Sequence, residues 1–164
     1  PELDAEQLYT QLEAAIKPAL AGTDRLAIVG IYSGGAWLAE RLARALGVTD
    51  VGYLDVSFYR DDYAERGLSA EVRPSHIGFD VEGANILLVD DVLYTGRTTR
   101  AAINTLFDYG RPAKIMLAAL VDRGGRQLPV AADFCARTVK VDEDQMLVLQ
   151  KADDGQLTLT IDHA

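Results

Sequence analysis

The chain has little of what marks secreted, membrane-bound or nucleic-acid-binding proteins. One cysteine in 164 residues cannot form an internal disulfide, so a cytoplasmic location is the natural expectation. No apolar run is long enough to predict a membrane span, and Pro1 to Glu13 lack the pattern of a secretory signal. Lys and Arg number 16 against 25 Asp and Glu, and the net charge of −9 argues against general affinity for nucleic acid.

The acidic average hides a basic stretch. Residues 97–140 carry 8 Lys and Arg against 3 Asp and Glu, whereas the rest of the chain carries 8 against 22. This local positive charge suits a phosphorylated substrate, an RNA partner, or both. The lone Cys135 lies in an apolar, strand-like part of the stretch, and we expect it to pack in the core rather than act as a nucleophile.

Hydrophobic periodicity predicts one α/β domain spanning residues 1–164, with a central, mainly parallel sheet flanked by helices. Apolar residues make up 49% of the chain and charged residues 25%, as in ordinary globular domains. The predicted strands are 26–31, about 52–59, 86–89, 113–121 and about 132–137; the predicted helices run from Asp4 to about Pro18, from Trp37 to Leu46 and from Arg100 to Tyr109. An Asp-Gly turn at 154–155, between apolar runs, predicts a C-terminal β-hairpin.

The segment from about 60 to 83 carries charges, glycines and a proline, with little periodicity. Long segments of this kind in compact domains are commonly lids or binding loops. We therefore predict a flexible lid loop here. A surface hairpin without catalytic consequence is the alternative, because loops of this length also carry short strands.

Between Ile86 and Arg100 an apolar run is followed by two carboxylates and a Gly/Thr-rich turn. Such a turn lies at the carboxyl end of a parallel strand, where open α/β sheets bind ligands and where helix N–H groups suit a phosphate. Asp90 and Asp91 could bind Mg²⁺, accept hydrogen bonds from vicinal ribose hydroxyls, or cap the turn. A second glycine turn, residues 33–35, follows the first strand and should lie at the same edge.

Residues Ile86 to Thr98 resemble the phosphoribosyl-pyrophosphate (PRPP) binding motif of type I phosphoribosyltransferases. Their local sequence Asp-Asp-Val-Leu-Tyr-Thr-Gly-Arg-Thr is similar to that of the PyrR family, pyrimidine regulators that also carry uracil phosphoribosyltransferase activity. The resemblance extends to residues 54–62, 107–112, 120–124 and 128–129. It implies a type I phosphoribosyltransferase-like fold with a lid.

The resemblance also implies a role for each turn. The 5-phosphate of PRPP would lie in the turn formed by Thr95, Gly96, Arg97, Thr98 and Thr99. Asp90 and Asp91 would hold the ribose hydroxyls and reach Mg²⁺ through water rather than by strong direct ligation. Pyrophosphate would contact Ser33, Gly34 and Gly35, with Arg60 at the root of the lid as a further cation.

The nucleobase is expected to contact two parts of the chain. Tyr94 stands where purine-specific relatives often carry Asp, and the absence of a carboxylate there suits a pyrimidine. The turn containing Asp122 and Arg123 follows a strand end on the same edge, so its backbone could read a uracil edge. The alternative for Asp122 and Arg123 is a local surface ion pair.

The function implied is an Mg²⁺-dependent uracil phosphoribosyltransferase of the PyrR type, forming UMP and pyrophosphate and coupled to regulation of pyrimidine biosynthesis. UMP or UTP would serve as product or effector, pyrimidine-operon RNA as a candidate partner, and a homodimer or larger homo-oligomer as the assembly. The alternative is a nucleotide-sensing regulator that binds RNA or another partner and has little or no catalytic activity. Two departures bear on this choice: Gly34 replaces a usual Arg, and Gly125 replaces a usual His.

Overall fold

The computed structural model describes residues 3–56 and 75–163. Its helices are α1 (Ala5–Leu20), α2 (Gly34–Leu46) and α3 (Arg97–Phe107). Its strands are β1 (Leu26–Ile31), β2 (Val51–Leu54), β3 (His76–Ile77), β4 (Asn85–Leu93), β5 (Lys114–Asp122), β6 (Phe134–Thr138), β7 (Gln145–Lys151) and β8 (Leu157–His163).

A six-stranded sheet in the order β3-β2-β1-β4-β5-β6 forms the centre of the fold. Neighbouring strands run parallel except for β3, which pairs antiparallel with β2 at one edge. A separate antiparallel hairpin joins β7 to β8. The predicted α/β class, the mainly parallel sheet and the C-terminal hairpin are therefore confirmed.

Apolar layers cover both faces of the sheet. One layer contains residues of α1, α2 and the β7–β8 hairpin, and the other contains residues of α3. Ile86 to Val89 in β4 are fully buried, because this strand lies at the centre of the sheet with a covered face on each side. The apolar run that predicted a buried strand thus belongs to the centre of the core.

Several predicted boundaries were wrong. Strand β4 continues through both carboxylates to Leu93, because its pairing with β5 continues that far. Helix α3 begins at Arg97 rather than Arg100, since Gly96 occupies the N-cap position with a φ of 96°.

The predicted burial of Cys135 was also wrong. Cys135 is exposed rather than packed in the core, because it lies on the edge strand β6.

Most of the predicted lid, including Arg60, lies outside the described residues. The short strand β3 lies within its last part, residues 75–83. Over the described ranges, no helix combines the length and apolarity needed to cross a membrane.

Candidate functional site

The turns that follow β1 and β4 meet at the carboxyl edge of the sheet. These two strands are parallel neighbours, with Gly30 opposite Val89. The turn after β1 approaches β4 so closely that a Cβ on Gly35 would lie 3.1 Å from the Cα of Asp90. Only glycine permits this approach of backbone to backbone.

Asp90 and Asp91 form the last polar pair of β4 before the second turn. Asp90 is buried, and its Oδ1 accepts the backbone N–H of Asp91 at 2.8 Å. Oδ1 of Asp91 likewise accepts the N–H of Val92 at 2.8 Å. These bonds fix both carboxylates in orientation.

The first turn leaves space for the second carboxylate. A Cβ on Gly34 would lie 2.9 Å from both Cβ and Cγ of Asp91, well inside any normal carbon contact. Gly34 therefore brings Asp91 directly against the N-terminus of α2. The positive end of that helix dipole suits an anion, whether a carboxylate or a phosphate.

The second turn, residues 95–99, lies at the N-terminus of α3. Thr95 and Thr99 are buried, and Oγ1 of Thr95 accepts the N–H of Arg97 at 3.2 Å. The carbonyl of Thr95 accepts the N–H groups of Gln127 and Leu128 at 2.9 and 3.1 Å, so a neighbouring loop supports the turn. The first N–H groups of α3, which have no acceptor within the helix, make this turn suited to a phosphate.

The guanidinium of Arg97 lies on the outside of this turn. Arg97 is exposed, and its Nε donates to Oε1 of Gln127 at 3.0 Å. The side chain of Thr98 is half-buried. Arg97 thus joins the turn to the supporting loop through its side chain.

Asp122 pairs with Arg126, which corrects the predicted alternative of an Asp122–Arg123 ion pair. The carboxylate accepts from Nη1 of Arg126 at 3.0 Å and from the N–H of Gly124 at 2.9 Å. Partial burial raises the pKa of Asp122, but the hydrogen bonds from Arg126 and Gly124 outweigh it and leave the pKa lowered. The turn folds back in this way because Gly124 and Gly125 both have positive φ.

Arg123 instead stacks on Tyr94. Its Cζ lies 3.9 Å from the centroid of the Tyr94 ring, a close cation–π arrangement. Its guanidinium also donates to the carbonyls of Gln145 and Asp142, at 2.7 and 3.0 Å. Arg123 therefore links the end of β4 to the start of the hairpin.

Sequence reasoning missed Arg126. Besides binding Asp122, this side chain donates to the carbonyls of Tyr94 and Val130, at 2.7 and 2.8 Å. It thereby connects the residue before the phosphate turn with the turn after β5. The spacing of an acid and a base four residues apart was the available signal, although the segment is not helical.

The structure brings the predicted residues together at one edge, with one exception. Direct contacts join the first turn to the carboxylates, and Tyr94 joins the second turn to the turn after β5. The exception is Arg60, which falls outside the described residues.

The donor set at this edge fits a shared magnesium ion rather than a protein cage. Across the parts of the chain that the structure describes, no three His, Cys, Asp or Glu residues cluster as a metal site. Mg²⁺ in proteins commonly keeps its waters and uses one or two carboxylates together with substrate phosphates. Asp90 and Asp91 could contribute in that way.

Comparisons with known proteins identify related sequences. The sequence matches the family described as Phosphoribosyl transferase domain over residues 4–146. A protein from Ralstonia nicotianae named Bifunctional protein PyrR is 51% identical over 94% of this chain and 90% of its own length. A protein of the same name from Pseudomonas aeruginosa is 45% identical over 87% of this chain and 86% of its own.

Solved structures extend the likeness at the level of the fold alone. A mutant hypoxanthine phosphoribosyltransferase from Trypanosoma cruzi gives a TM-score of 0.64 at 23% identity, covering 85% of this chain and 81% of its own. The Staphylococcus aureus enzyme of the same name gives 0.66 at 20% identity, covering 88% and 79%.

The mainly parallel sheet and the domain match define a phosphoribosyltransferase of type I. Identities of 45–51% over most of the chain are more specific. The chain belongs to the PyrR family.

Proposed function

We propose that this chain transfers the phosphoribosyl group of PRPP to uracil, forming UMP and pyrophosphate, with Mg²⁺ as cofactor. One observation supports this more than any other: the first glycine turn packs against Asp90 and Asp91, and the second glycine turn follows these carboxylates at the end of the same strand. Such an arrangement suits a sugar with phosphate groups at both ends.

In this reaction the bond from C1 of the ribose to pyrophosphate breaks, and a bond from C1 to N1 of uracil forms. The proton on N1 leaves to solvent. Positive charge develops on the ribose, where the carboxylates of Asp90 and Asp91 would stabilise it while holding the hydroxyls. Negative charge develops on pyrophosphate, where the N–H groups around Ser33, Gly34 and Gly35 would receive it.

The remaining residues position the substrate. The N–H groups and hydroxyls of residues 95–99 would bind the 5-phosphate. Arg60 is proposed as an added cation near pyrophosphate, and the base would lie near Tyr94 and the turn of Asp122 and Arg123. Bound Mg²⁺ would supply charge neutralisation at the pyrophosphate oxygens.

The test is formation of UMP from uracil and PRPP with and without Mg²⁺. We expect activity that EDTA abolishes, and a fall of about 100-fold in kcat/KM for Asp90→Asn or Asp91→Asn, because each removes charge near the developing cation. Folded protein that forms no UMP in the presence of Mg²⁺ would refute the proposed activity. Hypoxanthine, offered in place of uracil, checks the preference for a pyrimidine.

PRPP binding can be measured separately from turnover. Trp37, the only tryptophan, lies in the first turns of α2, close to Gly34 and Gly35. Nζ of Lys151, in the hairpin, lies 5.5 Å from the centroid of its indole ring, so we expect its fluorescence to respond to movement between α2 and the hairpin. We expect PRPP with Mg²⁺ to change this fluorescence, and uracil alone to change it less.

A regulatory function is the second candidate, and the name Bifunctional protein PyrR of the relatives favours it. In this proposal UMP or UTP acts as effector, a pyrimidine-operon RNA is the partner, and the protein acts in the cytoplasm as a homodimer or larger assembly. Arg123 and Arg126, two of the basic residues in 97–140, make internal contacts. RNA contact would therefore depend on the other cations of that stretch.

Titration with a pyrimidine-operon leader RNA at several salt concentrations tests this second function. Contacts with phosphates predict affinity that falls steeply as salt rises. A catalytically active protein that binds no leader RNA, with or without UMP, would show that the enzyme functions alone.

A further inference from the structure

The ring of Tyr94 is held on two sides by residues of the turn after β5. Its face carries the guanidinium of Arg123, with 3.9 Å from Cζ to the ring centroid. Its edge lies against Gly125, where an added Cβ would lie 2.6 Å from Cε1 and 3.0 Å from Cδ1. The ring therefore cannot turn towards this loop.

Arg123 is itself anchored, so the arrangement is more than a chance contact of two surface groups. Two carbonyls at the start of the hairpin accept from its terminal nitrogens. Its Nε is buried and has no hydrogen-bond partner in residues 3–56 and 75–163. The aromatic face of Tyr94 provides this guanidinium with a favourable electrostatic contact.

Gly125 is the residue that makes room for the ring. In this chain, its φ of +85° and the contact with Tyr94 together disfavour any side chain at position 125. The adjacent Gly124 has a φ of +72°, yet nothing lies within 4 Å of where its Cβ would be. Replacing either glycine would therefore strain the backbone, but only a replacement at Gly125 would also press against the Tyr94 ring.

We propose that Arg123 and Gly125 are positioning residues that fix the Tyr94 ring as a wall of the base subsite and so restrict it to single-ring bases. This inference rests on the proposed function. Tyr94 directly precedes the phosphate turn and follows the carboxylates by three residues, so it lies in the part of the chain near which the proposed function locates the base. A ring that cannot swing aside leaves less width for a two-ring base.

Matched alanine variants of the two glycines test the proposal. We expect Gly125→Ala to raise the KM for uracil by about tenfold relative to Gly124→Ala, with a smaller change in the KM for PRPP, because only the first displaces the ring. The ratio of kcat/KM for uracil over hypoxanthine should also fall in Gly125→Ala. Equal KM values for uracil and equal base ratios in the two variants would overturn the proposal.

Substitutions of Arg123 give an independent readout. Arg123→Gln should raise the KM for uracil, and Arg123→Lys should recover part of the loss because an ammonium still stacks on the ring. In NMR spectra the Nε–H of Arg123 should be shifted upfield by the ring and return towards its ordinary position in Tyr94→Leu. An unshifted Nε–H would overturn the stacked geometry itself.

These outcomes separate the inference from the proposed function. If the unmodified protein forms no UMP, the function fails while the NMR measurement still reports on the ring. If it forms UMP and the two glycine variants behave alike, the function stands and the positioning role is wrong.

Discussion

Gly34 and Asp91 share one small volume at the edge of the sheet: a Cβ on the glycine would lie 2.9 Å from Cβ and Cγ of the aspartate. The position where PyrR sequences usually carry an Arg is thus filled from the opposite side by a carboxylate. A negative group here lies close to where pyrophosphate is proposed to bind. Charge neutralisation by Mg²⁺ and by helix N–H groups accordingly gains importance.

The first prediction concerns this pair. Gly34→Ala should lower the affinity for PRPP by about tenfold or more, because the added carbon displaces the Asp91 carboxylate from its oriented position. The measurement is a titration of Trp37 fluorescence with PRPP in the presence of Mg²⁺. Gly78→Ala is the control, since within residues 3–56 and 75–163 its Cβ would meet only the His76 ring, at an ordinary 3.4 Å. Equal PRPP affinities in the two variants would contradict the steric argument.

The second prediction concerns Arg126. Arg126→Ala should destabilise the protein by about 2–3 kcal/mol, because it leaves the partly buried carboxylate of Asp122 and the carbonyls of Tyr94 and Val130 without this donor. Urea unfolding gives the value. Arg100→Ala, at an exposed position on α3, should change stability by less than about 0.5 kcal/mol. A similar small change for Arg126→Ala would show that the network contributes little.

The strands, and the meeting of the first glycine turn with the carboxylates at one sheet edge, could be predicted because they depend on local patterns. Ile86 to Val89 show continuous apolar character because β4 is buried on both faces, and the Asp-Gly turn at 154–155 marks the hairpin. The rule that ligands bind at the carboxyl ends of parallel strands then located the carboxylates and both glycine turns.

The partners of individual side chains could not be predicted, because they depend on backbone geometry that a sequence does not display. Positive φ at two consecutive glycines folds the turn after β5 so that Arg126, rather than the adjacent Arg123, faces Asp122. Cys135 was assigned to the core from its apolar neighbours, but among the described strands β6 pairs with β5 alone. The position of β6 at the edge of the sheet therefore explains why Cys135 is exposed.

The third prediction follows from the corrected position of Cys135. Iodoacetamide should label this thiol in the folded protein, because the residue is exposed. The rate near neutral pH should be below that of free cysteine, since partial burial raises the pKa of the thiol and lowers its thiolate fraction. Cys135→Ser provides the blank. Labelling that requires denaturant would show that the thiol is covered in solution.

The fourth prediction concerns acid stability and the contact between Glu6 and Arg41. Both oxygens of Glu6 accept from Arg41, at 2.7 and 2.9 Å, and one also accepts the N–H of Leu157 at 2.7 Å, which joins α1, α2 and the hairpin. The hydrogen bond from Arg41 is the main reason that the pKa of Glu6 is lowered. A lowered pKa in the folded state stabilises the protein above the carboxyl's ordinary value of 4.5 and loses that effect as pH falls through the folded value.

Glu6→Gln should therefore be less stable than the unmodified chain near neutral pH, by about 1 kcal/mol because the pair is partly exposed to solvent. The difference should shrink as pH falls below 4.5 and through the lowered pKa of the folded state, because the protonated carboxyl resembles the amide. Urea unfolding of both proteins across this range provides the measurement, with the exposed Glu143→Gln as the control. A difference that stays constant with pH would show that the loss comes from packing of the side chain rather than from its charge.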